Sequence, residues 1–171
     1  LLSKISLLVF FCLIVSACGF KPLYGTKGSE NITTDFFDIR IAPIKGRVGQ
    51  MLSNELKYLL NPMHEPYKPK YRLIIDIVQS IQSLAVKKTA LATRSNLKLT
   101  SKYRLIDTSS LKSLNRGSNA ITVSFNIYSS NYATLSAEKD AKKRAVKELA
   151  QDIRLQIGAF FMAQNHLNLV Q

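Results

Sequence analysis

The sequence predicts an α+β domain in which two helices pack on one face of a four-stranded mixed β-sheet, in the order strand, helix, three strands, helix. Three observations predict it. Four segments place apolar residues at every second position, so each strand has one dry face. Two other segments repeat their apolar residues near every 3.6 positions, which gives each helix a single apolar stripe. No internal repeat or second domain interrupts them, so one-sided strands and one-striped helices must bury against each other.

The elements follow in order. In DFFDIRIAPI, Phe37, Ile39 and Ile41 alternate with Asp38 and Arg40, which reads as a strand closed by Pro43. Residues 48–60 carry Val48, Met51, Leu52, Leu56, Leu59 and Leu60 at helical spacing, and Asn61-Pro62 stops that helix. GRVG at 46–49 reads as its start rather than as a phosphate loop. PMHEPYKPK is a proline-rich loop, and residues 71 to about 86 form a long strand with Tyr71, Leu73, Ile75 and Ile77 on one face. A basic turn at Lys87 and Lys88 leads to a second long strand, where Leu97, Leu99, Tyr103 and Leu105 oppose Lys98, Thr100, Lys102 and Arg104. Residues 107–110 make a turn. Ile121, Val123, Phe125 and Ile127 then alternate with Thr122, Ser124, Asn126 and Tyr128 in a fourth strand. The last helix, roughly 131–162, has the stripe Ala141, Ala145, Leu149, Ile153, Ile157 and Phe161, with Lys139, Lys142, Lys143, Lys147 and Arg154 off it.

The N-terminus has a different chemistry. Lys4 precedes the apolar run ISLLVFFCLIV, and the small residues Ser16 and Ala17 stand before Cys18. The run is shorter than the ~20 residues that span a bilayer, so it reads as a secretory signal over residues 1–17. VSAC matches a lipobox: small residues fit a peptidase cleft, and the thiol of Cys18 accepts a diacylglyceryl group. Cleavage after Ala17 then leaves Cys18 as the first residue, carrying diacylglycerol and an N-acyl chain such as palmitate, with no other cofactor expected. Gly19, where an acid would mark inner-membrane retention, favours the outer membrane, on its periplasmic side. Residues 18–35 read as a tether, 36–165 as the single domain and 166–171 as a frayed tail.

Lys and Arg number 24 against 11 acids. Such an excess points to nucleic acid, an anionic membrane or an anionic ligand. Export removes nucleic acid from that list and leaves lipid headgroups and the phosphates of lipopolysaccharide. With Cys12 lost and Cys18 acylated, the domain has no disulfide and stands on its core alone. His64 and His166 lie in a loop and a tail, and no HExxH, cysteine cluster or G-x-S-x-G occurs, so neither a metal site nor an enzyme is expected.

CGFKPLYG at 18–25 and IAPIKGRVGQMLSNEL at 41–56 resemble the lipopolysaccharide-assembly lipoprotein family LptE in its alphaproteobacterial form. YRLIIDI, TRSNLKLTSKYRLID and NYATLSAEKDAKKRAVKELAQDIRLQI continue the resemblance in order. It implies the same fold of two helices on four strands. It also implies a plug seated one to one in the large outer-membrane barrel LptD, and a part in inserting lipopolysaccharide into the outer leaflet. Basic residues that contact lipopolysaccharide in this family correspond to Lys87 and Lys88 and to Lys139. A barrel interior is polar and water-filled, so Lys98, Lys102 and Arg104 on the polar strand face are candidates to meet the barrel wall. The alternative role is an auxiliary lipoprotein of another envelope transport system. If the lipobox reading holds, Cys18→Ser accumulates as an unprocessed precursor without acyl label. Continued cleavage after Ala17 with palmitate incorporation would refute it.

Overall fold

The structure is a computed structural model that describes residues 35–62, 68–83 and 94–168. Its elements are β1 (Ile39–Ile41), α1 (Gly46–Leu60), β2 (Tyr71–Ser83), β3 (Arg94–Asp107), β4 (Ser113–Asn126) and α2 (Asn131–Asn168). They form one four-stranded sheet in the order β1-β2-β3-β4, with β1 parallel to β2 and the other pairs antiparallel. The α+β fold with a mixed sheet is the one the periodicity predicts.

Both helices lie on one face. The α2 stripe is fully enclosed: Ala141, Ala145, Leu149, Ile153 and Ile157 have no exposed surface, and Phe161 has 1%. Beneath it lie Leu97, Leu99, Tyr103 and Leu105 of β3 with Ile121, Val123 and Phe125 of β4. Leu52, Leu56 and Leu60 of α1 complete the core beside Leu73 and Ile75. The alanines let the helix approach closely, and the branched residues between them fill the gaps. Ser130 starts α2, its hydroxyl accepting from the Ala133 amide at 3.4 Å. Opposite on β3 and β4, Tyr103 and Gly117 are register partners, and a Cβ on Gly117 would lie 2.6 Å from the tyrosine ring. The Tyr103 hydroxyl donates to Gln156 of α2 at 3.0 Å, which ties ring, sheet and helix together.

The structure corrects the sequence reading in three places. Residues 35–37 are helical, and the first strand is only Ile39–Ile41. Phe36, rather than Phe37, enters the core, where it meets Phe161 edge-on at 6.2 Å between ring centres. Asp38 is not on a solvated face; it is buried and paired with Lys70 at 2.6 Å. A helical turn rotates the side chains by about 100° per residue instead of 180°, so the expected alternation is lost. The fourth strand begins at Ser113 and ends at Asn126, leaving Ile127 and Tyr128 outside it. Its first half, SLNRGSNA, is too polar to show period two and is held by pairing to β3. Finally, α2 continues past Met162 to Asn168, and α1 starts at Gly46.

The β3–β4 turn is set by Asp107. One oxygen, Oδ1, accepts from the Ser109 and Ser110 amides at 2.9 and 2.7 Å and from both hydroxyls. These donors hold its carboxyl at about 2, below the ordinary 3.8. The contribution to stability is complete above the ordinary value and vanishes as pH falls through about 2. Asp107→Ala should therefore lower the melting temperature by a constant amount near neutrality, and the gap from wild type should close towards pH 2.

For the core, Leu149→Ala should cost roughly 2–5 kcal/mol through lost burial and a residual cavity. Lys147→Ala, exposed on the same helix, should change stability by less than about 0.5 kcal/mol. Denaturant titration of both variants checks the rotation of α2.

Candidate functional site

Two surfaces carry the chemistry, one on each side of the sheet. The first is a groove of about 700 Å³ where the start of α1, the middle of β2 and the first turns of α2 meet. Its floor is apolar, made by Val48 and Met51 of α1, Ile77 of β2 and Leu135 of α2. Around it stand five cations, Lys45, Arg47, Lys139, Lys142 and Lys143, and a single acid, Glu138. Lys142 is paired to Glu138 at 2.6 Å across one helical turn.

The backbone adds to this field. The residue before α1 is Lys45, which offers no side-chain acceptor, and no acid occupies the first turn. Among the described residues no side chain caps the amides at this helix start, and the positive end of the helix faces the groove. Gly46 has φ +79°, which bends the chain into the helix, a conformation that costs a β-carbon-bearing residue more. Gly49 fits tightly against Ile44: an added Cβ would lie 2.6 Å from the isoleucine Cγ2. The chain is thereby folded back so that Lys45 and Arg47 flank the groove. Cations around an apolar floor suit an amphiphile with an anionic head, because the head meets charge and the chain meets Val48, Met51 and Ile77.

The second surface is the face of the sheet turned away from the helices. Lys98, Lys102 and Arg104 are exposed there on β3. Register places Thr122 beside Lys98, Ser118 beside Lys102 and Arg116 beside Arg104 on β4. Asn96 and Ser124 face each other in the same surface, the serine hydroxyl donating to the amide oxygen at 2.6 Å. The face is hydroxyl, amide and cation, with Ile74 and Val78 of β2, Ile106 of β3 and Ala120 of β4 as its apolar members.

The candidates from the sequence are thus divided. Lys139 lies in the groove and is exposed. Lys98, Lys102 and Arg104 lie together on the opposite sheet face. Lys87, Lys88, Ala17 and Cys18 lie outside the described residues. Sequence reasoning missed Lys45 and Arg47 as site residues. A helix start with basic rather than Ser, Thr, Asp or Asn residues was the available signal. Among the described residues no group of three His, Cys, Asp or Glu is placed to hold a metal, and no helix is long and apolar enough to cross a membrane.

Comparison with known proteins bears on the whole chain. An uncharacterized protein of Rickettsia prowazekii is 26% identical over 155 residues, covering 91% of this chain and 96% of its own. Among solved structures, a Caulobacter crescentus protein described as a lipoprotein superposes with a TM-score of 0.66 at 20% identity, over 78% of this chain and 97% of that one. The minor lipoprotein of Acinetobacter baumannii gives 0.56 at 17% identity, over 72% and 92%. The rare lipoprotein B of Shewanella oneidensis gives 0.53 at 13%, over 78% and 98%. At these identities the structures establish a shared fold. The sequence profile of the LptE family, described as lipopolysaccharide assembly, matches residues 32–157, so the chain belongs to the LptE family.

Proposed function

We propose that the protein is a lipid-anchored outer-membrane assembly factor that plugs the LptD barrel and handles lipopolysaccharide during its insertion into the outer leaflet. The observation that carries this reading is the groove, in which five cations stand around an apolar floor at the open start of α1. Lipid A carries phosphates and acyl chains on one disaccharide, and the groove offers a complement to both. Lysine ammonium groups meet phosphate as mobile point charges, and the amides of a helix start add fixed donors. Lys139 and Lys143 are the groups on α2 that reach this anion, Lys45 and Arg47 those on the side of α1. Lys87 and Lys88, which follow β2 in the sequence, supply a further basic contact.

The way the core is closed supports the plug role. Two helices and one sheet face enclose the core residues, and the outer sheet face is rich in Lys, Arg, Ser and Thr, which suits a body seated in a water-filled barrel. Cys18, carrying diacylglycerol on its thiol and, once cleavage after Ala17 frees its amino group, an N-acyl chain, holds that body at the membrane with chains enough for stable anchoring.

The test is binding of lipid A to the full-length acylated chain at low salt. Each exposed ammonium–phosphate contact contributes about 1 kcal/mol at most, so Lys139→Ala with Lys143→Ala should weaken binding roughly tenfold. Charge reversal at both positions should weaken it further, and added salt should erase the difference. Lys87→Glu with Lys88→Glu should reduce lipid A binding while barrel recovery stays normal. Equal affinity of all variants for lipid A at low salt would rule the groove out.

A further inference from the structure

The bare sheet face carries a line of four arginines, one from each strand. Arg40 of β1 is the register partner of Arg72 of β2, and Arg104 of β3 is the partner of Arg116 of β4. All four are exposed. Arg72 pairs with Ile106, two residues from Arg104 on the same face, so the two pairs adjoin on a diagonal across the sheet. With strands ~4.8 Å apart, the line spans about 14 Å. None of the four has a salt-bridge partner among the described residues.

Like charges placed directly opposite each other on neighbouring strands repel, and a sheet normally sets an acid or a neutral residue there. This sheet does so twice in adjoining rows with arginine. Lys102 and Lys98 extend the positive field along β3, and Asp76 is the single acid on the face. An arrangement that strains the free protein gains its compensation when opposite charge covers it.

We propose that this arginine line is the docking surface for a protein wall bearing carboxylates, seated flat against the sheet. The inference rests on the plug reading for the wall's identity, the inside of a β-barrel. Three observations favour a protein over a lipid. The apolar members of this face, Ile74, Val78, Ile106 and Ala120, stand singly between the cations on an open sheet surface rather than forming the floor of a groove, so an acyl chain is not enclosed there. Its neutral members, Thr100, Ser118 and Thr122, are short hydrogen-bonding side chains that suit a second sheet surface. Guanidinium groups are planar forks that bind carboxylates with two parallel hydrogen bonds, and spaced along a flat line they match carboxylates on successive strands of a wall. The molecule thus uses lysine around an apolar groove on one side and arginine on a flat polar face on the other.

The experiment places a photoreactive residue at Ser118, beside the line, or at Lys147 on the exposed side of α2, in the full-length anchored chain in native membranes. The expected result is a crosslink from Ser118 to an integral β-barrel protein, reduced at least tenfold by Arg104→Glu with Arg116→Glu. Arg104→Gln with Arg116→Gln should raise the melting temperature of the free protein, since it removes the repulsion; a fall would make the arginines part of the fold and overturn the proposal. A crosslink from Ser118 to lipopolysaccharide would also overturn it, as would crosslinks from Lys147 alone. If Ser118 captures an acidic protein that is not a barrel, the docking surface stands and the plug reading fails. If the barrel co-purifies but Ser118 never touches it, the plug reading stands and the arginine line does not.

Discussion

The packing of α2 on β3 and β4 decides the rest of this structure. A single stripe of Ala141, Ala145, Leu149, Ile153, Ile157 and Phe161 covers the apolar residues of β3 and of the second half of β4. No disulfide joins the described residues, so loss of this seam would leave nothing to hold the sheet flat against the helices. The seam also fixes where function can lie. Because α2 and α1 occupy the same face, their N-terminal parts converge over β2 and create the groove. The other face is left bare across four strands.

The parts of this arrangement that follow a regular period were legible in the sequence. The α2 stripe, the dry face of β2 and the alternation in β3 each repeat long enough to exceed chance, and each is buried where its period puts it. The elements that failed are those whose backbone is decided by distant contacts. Phe36 turns inward because Phe161 and Tyr71 offer an aromatic pocket, and Arg154 covers its ring at 5.7 Å. Nothing within 35–41 announces that. The first half of β4 is a strand only because β3 supplies its hydrogen bonds. Ser101 and Asn119, opposite each other and buried, interrupt the apolar face on both strands and hide its length from a periodicity argument.

The functional surfaces divide along the same line. Lys139 is named through the family resemblance, and the charged face of β3 from its alternation with the apolar face of the same strand. Lys45 and Arg47 acquire meaning only when α1 is laid beside α2, and Arg40, Arg72 and Arg116 only when the register is known. A charge is visible in one dimension; its neighbours are not. That is why the sequence suggested anionic partners in general, whereas the structure separates a cation-rimmed groove from a cation-bearing sheet face.

The parallel pairing of β1 with β2 has a consequence for the order in which the protein assembles. β2, β3 and β4 form an antiparallel meander closed by neighbouring segments, which can pair early at small loop-closure cost. β1 comes first in the chain but pairs with β2 only after α1 has crossed over, and it is three residues long. It is therefore the last strand to dock and the first to leave. Its hold depends on the Asp38–Lys70 pair and on the backbone bonds from Tyr71 to Asp38 and from Ala42 to Leu73. Amide exchange should be fastest there and slowest in the centre of β3. A pull applied through the chain that precedes Asp35 acts directly on this short strand, so the fold yields first where the chain enters the sheet.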